Sequence, residues 1–107
     1  MFRHVVMARW TETATEEEKQ ALRDRLLALP DQIPEVRSYR IGDDAGFSPD
    51  NFDIVVVADF DDSAGFLTYR DHPAHQKLVT ELLRPIMAAR AAVQHEWHTS
   101  LAPDLPA

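Results

Sequence analysis

The amino-acid sequence predicts an α+β fold in which helices cover one face of an antiparallel sheet. One observation is the two-residue periodicity between Phe52 and Phe60, which is typical of a strand. Another is the recurrence of Leu22, Leu26 and Leu29 at helical spacing. Extended along the chain, these patterns give the element order β-α-β-β-α-α-β, which indicates a split βαβ arrangement with a four-stranded antiparallel sheet.

The first part of the chain is expected to contain a strand and a helix. The strand covers 3–10, and a polar break follows it. Thr15 and Glu18 have the spacing of a capping box, so we expect the helix to begin there. Pro30 and Pro34 should set its end, because proline lacks an amide hydrogen and restricts the preceding residue.

The middle of the chain is expected to contain two strands and a short helix. An alternating pattern predicts the second strand at 36–41, and turn-forming residues predict an exposed loop at 42–51. The third strand covers 52–60. The acidic turn at 61–63 is then a suitable N-cap for a short helix that carries Tyr69.

The last third is expected to contain a further helix and the fourth strand. Pro73 suits the first turn of that helix, whereas Pro85 should kink or interrupt it near Leu83. Alternation at 91–98 predicts the last strand. The resulting division is one domain over 1–99 and a loose tail over 100–107.

Composition excludes several classes of function. The chain has 11 Lys plus Arg and 18 Asp plus Glu, a net charge of −7, so we expect neither nucleic acid nor a membrane surface as partner. The absence of cysteine removes disulfides, thiolate metal sites and a cysteine nucleophile. No signal peptide or membrane-spanning run is apparent, and a cytoplasmic protein is expected.

One face of the predicted sheet lacks a cover. Val5, Met7, Val55 and Val57 fall on the face opposite the one assigned to the helices. A chain of 107 residues gains stability by covering such an apolar patch. We therefore expect a homodimer formed by sheet-on-sheet packing.

Three segments of the sequence resemble the stress-responsive α/β barrel family, also called Dabb. They are Phe2-Arg3-His4-Val5-Val6, Leu29-Pro30-Asp31-Gln32-Ile33-Pro34-Glu35-Val36 and Tyr69-Arg70-Asp71-His72-Pro73-Ala74-His75. The match runs from about Phe2 to Glu96, and the last segment is its most specific part. The resemblance implies a ferredoxin-like fold that assembles as a dimeric α/β barrel.

The same resemblance implies a type of chemistry. The family includes plant polyketide cyclases that close a linear poly-β-ketone by aldol chemistry without a metal or organic cofactor. In that branch, two histidines and a tyrosine line the pocket, and they match His4, His75 and Tyr69 here. A third-strand histidine of the cyclases falls on Ile54, which departs from the cyclase pattern.

These three side chains suit a proton transfer. Imidazole has an ordinary pKa near 6.5 and can act as a neutral base, so His75 or His4 is the candidate base. Tyr69 is the candidate hydrogen-bond donor to a developing enolate oxygen. The competing interpretation is that the histidines are hydrogen-bonded core or capping groups and that Tyr69 only packs.

Other histidines are weaker candidates. His72 and His75 have a spacing that suits metal ligands, but Pro73 disfavours a shared helical face, so His72 is expected to cap backbone groups. No metal or cofactor is predicted. His95 and His98 fall on opposite faces of the last predicted strand, which favours surface or interface positions.

Aromatic and acidic residues leave alternatives open. Some large aromatic side chains are candidates for a pocket frame, with core packing as the other interpretation: Trp10, Phe60, Phe66 and Trp97. The aspartates lack the spacing of an EF-hand loop, and solvated turns account for them: Asp43, Asp44, Asp59, Asp61 and Asp62.

The leading functional hypothesis is a homodimeric Dabb protein that binds a small apolar carbonyl or polyketide-like compound. It would act as a cofactor-free cyclase or proton-transfer enzyme. One alternative is a non-enzymatic dimer with a stress-related binding or scaffold role, and another is a cofactor-independent monooxygenase. An open cavity reached by both His4 and His75 would favour ligand chemistry over a scaffold.

Overall fold

A computed structural model describes residues 1–98 of the chain. Its elements are β1 (Phe2–Trp10), α1 (Glu16–Gln32), β2 (Ser38–Asp43), β3 (Ile54–Phe60), α2 (Ser63–Asp71), α3 (Pro73–Leu78) and β4 (Met87–Glu96). A π-helical turn at Val79–Leu83 and a 3-10 turn at Arg84–Ile86 connect α3 to β4. This order confirms the predicted ferredoxin-like α+β arrangement. The predicted tail at 100–107 lies outside the described residues.

The four strands form one antiparallel sheet in the order β2-β3-β1-β4. In the register of β1, His4 lies opposite Ala58 of β3 and Gln94 of β4. The next residue, Val5, lies opposite Val57. Because side chains alternate between faces, His4 and Gln94 share one face, and Val5 and Val57 share the other.

The helices cover the face that carries His4. The buried core on this face contains residues of α1 and β3, Tyr69 of α2, Leu78 of α3, and one residue each from the ends of α1 and of the 3-10 turn. Its members are Leu22, Leu26, Leu29, Ile33, Val56, Ala58, Phe60, Tyr69, Leu78 and Ile86. Burial of such side chains is the main stabilising contribution to a domain of this size.

α1 begins as predicted and ends later than predicted. The Thr15 hydroxyl accepts from the Glu18 amide, and the Glu18 carboxylate accepts from the Thr15 amide, which completes the capping box. Pro30, however, lies inside the helix. Near a C-terminus proline removes only one backbone hydrogen bond, and burial of Leu29 and Ile33 offsets that loss.

Two strand boundaries in the middle of the chain differ from the prediction. β2 begins at Ser38 because a turn precedes it, in which the Val36 amide donates to the Ile33 carbonyl. β2 extends to Asp43, so the loop covers 44–53, two residues later than expected and equally long. β3 begins at Ile54. The amide of the preceding residue, Asp53, donates to the carbonyl oxygen of Ala8 at the end of the pairing between β1 and β3.

The fourth strand also differs from the prediction. It begins at Met87 and ends at Glu96, so Trp97 and His98 lie beyond it. Alternation could not locate its start, because alanines occupy both faces around Arg90 and give little contrast between the faces: Ala88, Ala89, Ala91 and Ala92. The consequence is a long edge strand whose residues 90–94 run beside β1.

The predicted interruption by Pro85 is confirmed. The amide of Arg84 donates to the carbonyl of Val79, five residues earlier, at the end of the π-helical turn that follows α3. Pro85 lacks an amide hydrogen to continue the helix. The chain therefore turns at Ile86, which is buried, and enters β4.

The face opposite the helices carries a partly buried ion pair. The Arg3 guanidinium donates to both oxygens of Asp59, at 2.8 and 3.0 Å, and the Trp97 indole donates to the same carboxylate at 3.3 Å. Arg3 also lies over the Trp97 ring, 4.7 Å from its centre. Asp59 is only 5% exposed, so the expectation of a solvated turn was wrong for this residue.

Beside this ion pair the same face carries apolar side chains of β1, β3 and β4. We call Val5, Met7, Val55, Val57 and Val93 the open face. Met7 is 36% exposed and Val93 is 54% exposed, and no helix of the described residues packs on them.

Within residues 1–98, no helix has the length and apolar character needed to cross a bilayer.

Candidate functional site

A cavity of about 590 Å³ lies between the helical layer and the β1–β4 side of the sheet. Its apolar wall comes from α1, β3 and α3, with Leu22, Leu26, Val56 and Leu78. Its polar wall comes from β1, α2, α3 and β4, with His4, Tyr69, Arg70, His75, Gln76, Arg90 and Gln94. The three side chains selected from the sequence therefore line one cavity.

His4 is held on β1 by a neighbour on β4. The side-chain amide nitrogen of Gln94 lies 2.8 Å from Nδ1 of His4. Because this nitrogen is an N–H donor, Nδ1 is the acceptor and carries the lone pair of the ring. The proton of the neutral ring is then on Nε2. Burial, together with the charges of Arg90 and His75, lowers the pKa of His4 to about 4, so the ring is neutral at pH 7.

His75 has the opposite tautomer. Its Nδ1 lies 2.9 Å from the backbone carbonyl oxygen of Arg70, which can only accept, so Nδ1 carries the proton. The lone pair of the neutral ring is on Nε2. Burial lowers the pKa of His75 below the ordinary 6.5, although the hydrogen bond to Arg70 opposes that shift. His75 is therefore a neutral imidazole with an available lone pair at pH 7.

Tyr69 connects the two histidines. Its ring centre lies 4.4 Å from that of His75 and 6.2 Å from that of His4. Its hydroxyl lies 2.8 Å from the hydroxyl of Tyr39 on β2. Burial raises the pKa of Tyr69 to about 12 and that of Tyr39 as well, so both phenols stay protonated. Each of the two hydroxyls carries a proton, and their hydrogen bond uses only one of these protons. The other proton is available to a further acceptor.

The model of the stress responsive A/B barrel domain, called Dabb, matches residues 2–96. The chain belongs to this family. The Dabb match covers β1 to the end of β4, and so it includes every residue that lines the cavity.

Solved structures with the same fold extend the comparison. A dimeric ferredoxin-like protein of unknown function from Thermobifida fusca is 38% identical, with a TM-score of 0.82 over 90% of each chain. Hydroxynitrile lyase from Passiflora edulis is 18% identical, with a TM-score of 0.82 over 94% of this chain and 96% of its own. An antibiotic biosynthesis monooxygenase is 15% identical, with a TM-score of 0.74 over 92% and 99%. A comparison with curated proteins gives no match.

The other aromatic candidates do not frame this Dabb cavity together. Phe66 lines it, with its ring centre 4.9 Å from that of His4. Phe60 is fully buried in the core, and Trp10 packs against that core. Trp97 follows the end of β4 and contacts Arg3 and Asp59 on the other face of the sheet.

The remaining histidines serve other roles. His72 caps α3 as predicted: its Nδ1 accepts from the amide of Ala74, 3.0 Å away. His95 is exposed near the end of β4. In the part of the chain that the structure describes, no three His, Asp or Glu side chains are grouped closely enough to hold a metal ion.

Three side chains that act on His4, His75 or Tyr69 were not selected from the sequence, and one of them, Tyr39, does not itself line the cavity. Gln94 fixes the tautomer of His4, Tyr39 holds the hydroxyl of Tyr69, and the charge of Arg90 acts on both histidines. Gln94 and Arg90 were identifiable only as alternating residues of β4, whose register against β1 is not visible in the sequence.

Proposed function

We propose that this Dabb protein binds a small, largely apolar carbonyl compound in the cavity and catalyses a proton transfer without a cofactor. The observation that carries the proposal is the pair of complementary imidazole tautomers. His75 offers a lone pair on Nε2, and His4 offers an N–H on Nε2, on the polar wall of one cavity. One base and one donor are what enolisation of a carbonyl compound requires.

In the proposed step, Nε2 of His75 removes a proton from the carbon next to the carbonyl group. The electron pair of the broken C–H bond moves into the enolate, and the negative charge develops on oxygen. Nε2–H of His4 and the hydroxyl of Tyr69 donate to that oxygen. Return of the proton from His75 regenerates the ketone. In a ligand with a second carbonyl group, the enolate carbon attacks that carbonyl and closes a ring. The π electrons of the second carbonyl move onto its oxygen, and this alkoxide takes the proton that His75 holds.

Desolvation supports this division of roles. Both histidines are neutral at pH 7 because burial disfavours their charged forms. His75 is then ready to accept a proton without first losing one. His4 does not compete with it as a base, because its lone pair on Nδ1 accepts from the side-chain amide of Gln94.

We also propose that two copies associate through the open face. The apolar side chains there alternate along β1, β3 and β4, which gives a continuous surface. The Thermobifida fusca relative, 38% identical, is described as dimeric. The Arg3–Asp59 pair adds a satisfied polar centre to that surface, so its burial between two sheets leaves no isolated charge.

The experiment is hydrogen–deuterium exchange of the α-protons of propiophenone in D2O, followed by proton NMR. This ketone is apolar, neutral and small enough for the cavity. The wild-type protein should accelerate exchange over buffer, and His75→Gln should reduce the acceleration by about a hundredfold or more, because the base is lost. His95→Gln is the matched control, since it removes an exposed histidine outside the cavity.

The same experiment separates the alternative functions. Propiophenone that binds, by ligand-observed NMR, with exchange no faster than in buffer would overturn the enzyme proposal and favour a non-enzymatic binding protein. Equal exchange with wild-type protein and His75→Gln would overturn the role of His75. Melting temperatures of both variants show whether lost exchange reflects lost folding.

A further inference from the structure

The charge of the cavity differs from that of the whole chain. The chain carries a net charge of −7. Its cavity is nevertheless lined by Arg70, Arg84 and Arg90, and among the described residues no Asp or Glu lines it. Although the protein is acidic overall, the described residues that line its cavity are all cationic or neutral.

Arg84 and Arg90 differ from Arg70 in having no carboxylate partner among the described residues. Arg70 donates to Asp71 at 2.8 Å through Nε. Arg84 and Arg90, by contrast, make no ion pair within 4.0 Å with any carboxylate of residues 1–98. Both are exposed and also line the cavity, which puts them at its opening. An anion that enters would meet two guanidinium groups that lack a carboxylate partner.

The position of Arg90 relates it to the two histidines. It lies on β4 opposite Ala8, on the same face as Gln94, which bonds His4. Its positive charge also contributes to the lowered pKa of both His4 and His75. Arg90 is therefore close enough to hold one end of a small ligand whose other end reaches the imidazoles.

The apolar wall accounts for the rest of such a ligand. Leu22, Leu26, Val56 and Leu78 offer hydrocarbon surface deeper in the cavity. Guanidinium groups bind carboxylates through two parallel hydrogen bonds, which are stronger than neutral ones. The cavity thus combines an anion-binding opening with an apolar interior.

We infer that the ligand is a keto acid: an apolar carbonyl compound whose carboxylate pairs with Arg90, assisted by Arg84, while its ketone lies at His4 and His75. This inference rests on the proposed function, because it adds a carboxylate to the ligand class proposed above. Arg90 is assigned as a residue that determines specificity for an acid over a neutral ketone.

The test compares 3-benzoylpropionate with its methyl ester by isothermal titration calorimetry. The two probes share the aromatic ketone and differ in one charge. We expect the wild-type protein to bind the acid at least tenfold more tightly than the ester. Arg90→Gln should remove most of that preference, because it should weaken binding of the acid far more than binding of the ester. Arg25→Gln changes the net charge equally at an exposed position on α1 outside the cavity, and should preserve the preference.

Two outcomes would overturn the keto-acid inference. One is equal affinity for the acid and the ester, including the absence of measurable binding of both. The other is an equal loss of acid binding in Arg90→Gln and Arg25→Gln, since that would reflect overall charge rather than a site. Propiophenone has no carboxylate, so its exchange by the wild-type protein tests the proton transfer without the proposed pairing to Arg90. Failure of the keto-acid inference and failure of the proposed proton transfer are therefore distinguishable.

Discussion

The side-chain amide of Gln94 lies 2.8 Å from Nδ1 of His4, across the ladder between β4 and β1. This contact connects an edge strand to the buried imidazole. It gives His4 the tautomer with its proton on Nε2, and so makes it a donor rather than a base.

Replacement of Gln94 should change the tautomer of His4. In Gln94→Ala the Nδ1 atom loses its donor, and we expect a mixture of the two neutral tautomers. Long-range proton–nitrogen correlation spectra report the protonated nitrogen directly. The wild-type spectrum should show Nε2–H alone at pH 7. A wild-type spectrum with Nδ1–H as the main form would contradict the assignment.

Burial of His4 should make stability depend on pH. Its folded pKa is about 4, below the 6.5 of an exposed imidazole, so the unfolded chain binds a proton between these values and the folded chain does not. The free energy of unfolding therefore falls as pH decreases from 6.5 to 4, by about 3 kcal/mol from this residue alone. The groups that face it are Arg90, His75 and Tyr69.

Urea denaturation at several pH values tests the His4 contribution. The difference between wild-type protein and His4→Gln isolates it, because every other titrating group is common to both. We expect the difference in pH dependence to be confined to pH 4–6.5. Parallel stability curves for the two proteins would contradict the account.

The Tyr39–Tyr69 hydrogen bond should be detected by a double-mutant cycle. Tyr39→Phe and Tyr69→Phe each leave a buried hydroxyl without its partner, at a cost of about 1–3 kcal/mol. The double variant removes both hydroxyls, so we expect it to cost less than the sum of the single changes. Chemical denaturation of the four proteins gives the coupling. Additive losses would show that the hydroxyls do not interact.

The open face should determine the oligomeric state. Val55→Asp puts a carboxylate on that apolar surface, and burying it unpaired costs several kcal/mol, so the variant should sediment as a monomer or aggregate. Leu27→Asp is the matched control, because Leu27 is 61% exposed on α1. Sedimentation of wild-type protein as a monomer at micromolar concentration would exclude the dimer.

Periodicity and caps in the sequence were sufficient for the fold. The capping box at Thr15, the alternation of β3 and the position of Pro85 are local signals, and the structure agrees with each. The start of β4 was missed because its small residues lack contrast, and Pro30 was misjudged because tertiary burial outweighs one lost hydrogen bond.

The cavity was less accessible to sequence reasoning. His4, His75 and Tyr69 were selected through family resemblance, and the structure brings them together around one cavity, while their roles stay predictions. Gln94 and Arg90 depend on the register of β4, which a single sequence does not specify. Asp59 was misjudged because its partner, Arg3, is 56 residues away.

The central claim is that neutral His75 removes a proton from a carbonyl ligand, and the pH dependence of propiophenone exchange tests it most directly. The protein-catalysed rate should be constant above the pKa of His75, which lies below 6.5, and should fall tenfold for each pH unit below it. In His75→Gln the catalysed rate and its inflection should disappear together. An unchanged profile in His75→Gln, or a rate that only follows hydroxide concentration, would contradict the account.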